Sequence, residues 1–161
     1  MLAHTLSAAI GFSHWFGPTL GSPDGVDTPV VEVGVEPGVD FLEVRARFTP
    51  ALASASAVDG FGGVGLLLRH GLSSGRQEVG VRGGPEVFGV ATSEGMRPGV
   101  GAMVGAEILI TVGQGASRPR IGGFFAAHEL TYTLPGEVDA DLLGDAHRDA
   151  QIDLGFEVVL F

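Results

Sequence analysis

The chain has 161 residues, no Cys, a formal charge of −10 and a pI near 4.7. A domain of this size buries roughly 70% of its unfolded surface and needs no covalent staple. Without Cys, a disulfide or a thiolate metal site is excluded. The acidic balance argues against nucleic acid and against an anionic membrane as partners.

Charge is sparse as well as acidic. Charged residues make up 17% of the chain, against about 25% in an ordinary soluble domain, and mean hydropathy is +0.33. All nine basic residues are Arg, and neither Lys nor Asn occurs. A folded monomer of this mass exposes about 7,500 Å², or roughly 270 Å² for each charged residue. The surface is therefore expected to be covered in part.

In chain order, residues 2–10 read as a turn of helix or a first strand, and their lack of Lys and Arg removes the n-region of a signal peptide. His14-Trp15-Phe16 holds the only Trp, which suits an anchor in the core or under a subunit contact. Residues 30–35 read as a strand. Over residues 39–48, Leu42, Val44, Ala46 and Phe48 share one face while Glu43, Arg45 and Arg47 share the other. The small-residue stretch 49–60, with Leu52 in it, reads as a long connection.

Gly60-Phe-Gly-Gly-Val-Gly65 fits G-x-G-x-x-G, but it lacks the strand before it and the crossover helix after it that a dinucleotide site requires. Gly71-Leu-Ser-Ser-Gly75 fits G-x-S-x-G, yet both flanks alternate like strands, so a hairpin loop explains it better than a nucleophile elbow. Further strands are predicted at 63–70, 77–82, 86–92, 106–113, 122–134 and 152–161. Within the long strand at 122–134, His128 and Glu129 must point to opposite faces, which argues against a shared ligand set.

The densest acidic run, 138–149, could hold one short helix, with Asp139 or Asp141 as N-cap. Asp139, Asp141 and Asp145 are the residues there that could hold Ca²⁺, although the spacing is not that of an EF-hand loop. No other cofactor is called for, and no group of residues has the pattern of an active site, so a non-enzymatic protein is expected.

Strands spaced about ten residues apart and punctuated by Gly, Pro and Ser predict an all-β fold. The expected form is a single-domain sandwich over 1–161, of jelly-roll or Greek-key type, with at most one short helix. The expected core is Val31, Val33, Leu42, Val44, Phe48, Leu67, Ile108, Ile110, Phe124, Tyr132, Phe156, Val158 and Leu160.

The final strand also bears on a membrane barrel. Asp153, Gly155, Glu157, Val159 and Phe161 share one parity, and Ile152, Leu154, Phe156, Val158 and Leu160 share the other. A lipid-facing Phe161 would then lie beside two acids, and one Trp with one Tyr cannot form two aromatic girdles. On these grounds the sequence is read against a membrane barrel. The wholly apolar face of this strand loosely resembles the buried last strand of trimeric jelly-roll modules.

The functional expectation is a structural subunit of a symmetric assembly: a homo-oligomer, with a trimer favoured, in a larger protein lattice without nucleic acid or membrane. Its expected setting is a virion, as a capsid-decorating or tail protein, or another extracellular assembly made without a signal peptide. Interface candidates are Trp15, Phe16, Leu52 and Phe161. The alternative is a carbohydrate- or ligand-binding sandwich module, Ca²⁺-dependent through the acidic run.

Overall fold

The computed structural model describes residues 5–16, 25–38, 41–50, 59–113, 118–132 and 147–160. They form eight strands: β1 (Thr5–Phe16), β2 (Val26–Glu36), β3 (Leu42–Thr49), β4 (Gly60–Ser74), β5 (Gln77–Thr92), β6 (Gly95–Thr111), β7 (Arg120–Tyr132) and β8 (His147–Leu160). Each strand pairs antiparallel with its sequence neighbour, and β1 pairs with β8 from Leu6↔Leu160 to Phe16↔Ala150, so the sheet closes into a barrel. Closure gives every strand a partner on both sides.

The alternation predicted from sequence is present, and the structure extends it. The predicted strands 77–82 and 86–92 are one strand, β5, running through Gly83-Gly84-Pro85. The first half of β6 lies outside the predicted strands. The G-x-G-x-x-G stretch lies within β4, with strand on both sides of Gly65. The G-x-S-x-G stretch ends in the two-residue β4–β5 turn, where Gly75 takes φ 63°, the left-handed conformation that a tight hairpin turn requires. His128 points inward and Glu129 outward, as expected.

The fold class is corrected in architecture. The protein is a closed eight-stranded antiparallel barrel, not a jelly-roll or Greek-key sandwich. The expected core is largely inverted. Leu67, Phe124 and Tyr132 are buried, whereas Val31, Val33, Val44, Phe48, Ile108, Ile110, Phe156, Val158 and Leu160 are all exposed on the outer wall. In β3 the outer face is the apolar one, and Glu43, Arg45 and Arg47 fill the interior.

The same inversion removes the parity objection to a membrane barrel, an objection in which the outer face of β8 carries the parity of Phe161. The outer face is the opposite parity, with Leu154, Phe156, Val158 and Leu160 exposed, while Asp153 and Glu157 are buried.

An eight-stranded barrel is just wide enough for side chains to fill it, so large inward residues need small partners. A Cβ at Gly34 would lie 2.3 Å from Glu43 Oε1, and one at Gly80 would lie 2.6 Å from Glu107 Oε1. At Gly99 a Cβ would sit 2.3 Å from the Phe88 ring, which is itself packed against Phe61 and Tyr132. A carboxylate arm can swing aside, but a packed ring cannot. Gly99→Ala is therefore expected to lower unfolding stability by about 1–3 kcal/mol, measured as a reduced urea midpoint, while Gly75→Ala acts only through turn strain.

Candidate functional site

The polar chemistry of the described residues is concentrated inside the barrel. Seven carboxylates are buried there: Glu32, Glu43, Glu86, Glu107, Asp149, Asp153 and Glu157. They face three buried guanidiniums, Arg45, Arg47 and Arg82, and one buried imidazole, His128. Glu36, Glu78, Arg69 and Arg120 add a half-buried rim at the end where the chain enters β1 and leaves β8.

Three layers follow along the axis. At the rim, Arg69 donates from Nε to Glu107 (2.7 Å) and also bonds Glu78, which in turn accepts from Arg120. Deeper, Arg45 is the hub. Its Nε donates to Glu43 (2.7 Å), Nη1 to Glu32 (2.7 Å), and Nη2 to Ser7 Oγ (3.2 Å) and to Glu157. Arg82 Nη1 joins this layer through Glu107 and Glu157, both at 3.2 Å. The next group is Arg47, Glu86, His128 and Asp153, with Arg47 Nε 2.8 Å from Asp153 Oδ2 and His128 Nδ1 2.9 Å from Glu86.

The far end is aromatic. Trp15, Phe61, Phe88 and Tyr132 pack with Val90 and Leu130. Trp15 Nε1 donates to Asp149 Oδ2 at 3.1 Å, and the Tyr132 hydroxyl donates to the same oxygen. Between the Arg45 and Arg47 groups lies a cavity of about 10 Å³, lined in part by Glu32, Glu86 and His128, with room for a single water.

The structure places the residues singled out from sequence as follows. Trp15 is fully buried in the aromatic layer, so it is a core anchor and not an outer contact. Phe16 is exposed on the outer wall. Leu52, Phe161, Asp139, Asp141 and Asp145 lie outside the described residues, as does most of the stretch read as a short helix. The residues that do meet inside the barrel lie outside the core and the sites expected from sequence. Their signal was present: Gly34, Gly65 and Gly80 share the inward parity with the charges, which a solvated face would not require.

No family model matches the sequence, and no curated protein matches it. Among solved structures it is similar to Neisserial surface protein A, NspA, with a TM-score of 0.62 at 10% identity over 98% of this chain and 96% of that one. The N-terminal β-barrel domain of Pseudomonas aeruginosa OprF aligns over 96% of both chains at 13% identity, with a TM-score of 0.48. At such identity the NspA likeness concerns the fold. It overturns the virion reading and the virion localisation, which rested on a jelly-roll subunit. It equally overturns the alternative of a carbohydrate-binding sandwich, since there is no sandwich to carry it.

Removing the hub of the charged layer leaves three carboxylates buried without their common cation. Arg45→Leu is expected to destabilise the barrel by about 3–5 kcal/mol, seen as a lower urea midpoint. Arg97→Leu, which removes a partly exposed group 3.9 Å from Glu94, should leave the midpoint unchanged.

Proposed function

We propose that this chain is a membrane-spanning β-barrel with a filled lumen, in the outer membrane of a Gram-negative bacterium. The observation that carries the reading is the outer wall. Leu6, Ile10 and Phe12 on β1, Val31, Val33 and Val35 on β2, and Val64, Leu66 and Leu68 on β4 are all exposed, and the pattern continues around the barrel to Leu154, Phe156 and Leu160 on β8. An exposed apolar patch on a soluble monomer seldom exceeds a few hundred Å². Here the apolar surface encircles the molecule, while charge is turned inward, the opposite of a water-soluble barrel. Even-numbered antiparallel barrels of eight or more strands are a standard solution to spanning a bilayer, because every backbone polar group is paired within the sheet.

Charged outward residues lie near one end. Asp27 pairs with His14 (2.6 Å), and Glu129 and Arg148 occupy the neighbouring outward positions of β7 and β8. His70, Ser74 and Gln77 mark the other end. The single Trp and the single Tyr are both inside the barrel, so the outer aromatic residues of the described strands are all Phe.

The filled interior supports a role other than a water-filled pore, and its charged groups are engaged with one another, which supports a non-enzymatic protein. Lipid takes the covering role that the sequence reading gave to sister subunits and a lattice. A closed barrel has no edge for a sister strand, so the proposed unit is a monomer.

Two outcomes are expected. Refolded with lipid vesicles, the chain should float with them, resist protease across the strands and give no stable conductance in a planar bilayer. Leu66→Arg should lower stability in the bilayer by about 2–4 kcal/mol near the midplane. Failure to enter vesicles, or an Arg at position 66 that costs nothing there, would sink the reading.

A further inference from the structure

The interior of the barrel is out of electrostatic balance. Seven buried carboxylates face three buried guanidiniums, and the half-buried rim adds two of each sign without changing the difference. Unpaired charge is costly away from water. The excess must be met by protons or by a bound cation, and the geometry indicates where a cation fits.

Glu32, His128 and Asp153 come from β2, β7 and β8 and converge in the lumen. One ligating atom from each lies within 4.8 Å of the others. All three residues are at least nine-tenths buried; Glu32 Oε1 and His128 Nε2 have no hydrogen-bond partner, and Asp153 Oδ2 lies 2.8 Å from Arg47 Nε. The separation of His128 Nε2 from Asp153 Oδ2 is 3.3 Å. Two ligands bound about 2.1 Å from a tetrahedral ion lie about 3.4 Å apart.

The imidazole is also set up for this role from behind. Its Nδ1 is 2.9 Å from Glu86 Oε1 and 3.1 Å from Arg47 Nη1. A guanidinium can only donate, so the two contacts compete. With the proton on Nδ1 donated to Glu86, the Nε2 lone pair is left facing Glu32 and Asp153. A carboxylate behind a histidine in this way fixes the tautomer that ligates a metal. The one-water cavity lined by Glu32 and His128 offers space for a fourth ligand. Charge agrees as well. Arg45, Arg47 and Arg82 are shared among six carboxylates, Glu32, Glu43, Glu86, Glu107, Asp153 and Glu157, which leaves three negative charges in excess.

We propose that Glu32, His128 and Asp153 form a lumenal site for a divalent ion of the Zn²⁺ class, with Glu86 positioning the histidine. One imidazole and two carboxylates suit Zn²⁺ or Co²⁺ and disfavour Mg²⁺ and Ca²⁺, which take all-oxygen sets. The site is independent of what surrounds the outer wall.

The test uses the full chain without a histidine tag, refolded from denaturant in detergent with chelator, dialysed and titrated with Co²⁺. Near-ultraviolet circular dichroism of the single Trp reports folding throughout. One equivalent of Co²⁺ should bind with the strong visible absorption of a tetrahedral site, and Zn²⁺ but not Mg²⁺ should displace it. His128→Gln should abolish the band, Glu86→Gln should weaken binding about 10–100-fold, and His70→Gln, on the outer wall, should leave it intact. If His128→Gln does not fold, Glu32→Gln carries the comparison. A folded wild-type barrel that takes up no Co²⁺ would overturn the proposal and assign the missing charge to protons. A band that survives both His128→Gln and Glu32→Gln would overturn it too.

Discussion

The structure depends on one constraint: a closed sheet has two faces, and along every strand they alternate residue by residue. Closure satisfies the backbone and leaves the side chains to decide which face is inside. In this chain the decision is clearest on the strands that carry inward charge. Arg45 and Arg47 on β3, Arg82 and Glu86 on β5, Glu107 on β6 and Asp153 and Glu157 on β8 share the inward parity, and Val, Leu, Ile and Phe hold the outward one. A slip of one residue in any seam would turn charges outward and apolar side chains into the network. Register is therefore held by both faces at once, most firmly where Arg45 joins β1, β2, β3 and β8 in one set of bonds.

Much of this alternation is legible in the sequence. The split of 39–48 into an apolar face and a charged face is correct, as is the opposition of His128 and Glu129, and the hairpin expected at 71–75 is present with its turn at Gly75 and Arg76. What the alternation does not carry is direction. Period two identifies two faces, and assigning the apolar one to a core assumes water outside. That assumption turned the barrel inside out and made a sandwich of it. The clues against it were physical. Charge was too sparse for a solvated surface, and glycine recurred on the charged parity. At Gly34 and Gly80 it makes room for carboxylates arriving from the neighbouring strand, which is a demand of an enclosed space. β7 was ambiguous for another reason: Phe124 faces in, Phe125 faces out, and both faces are rich in apolar residues.

The interior combines two kinds of filling. The aromatic layer around Trp15, Phe61, Phe88 and Tyr132 closes one end by packing, and the charged layers close the rest by mutual pairing. Buried ion pairs offer little net stability over apolar packing of the same shape. Their value here is that they mark the inner face unambiguously and occupy a lumen too narrow for bulk water. The acid excess around His128 is the part of this network that pairing alone does not balance.

The most direct test of the central claim, that the apolar parity faces lipid, uses the absence of native Cys. Single cysteines placed along β4 at Val64, Gly65, Leu66, Leu67 and Leu68, spin-labelled in vesicle-reconstituted protein, report contact with lipid-soluble oxygen and with a water-soluble nickel chelate. The account predicts high oxygen and low nickel accessibility at 64, 66 and 68, and little of either at 65 and 67. Nickel accessibility at the even positions equal to that of a soluble-protein surface would contradict it.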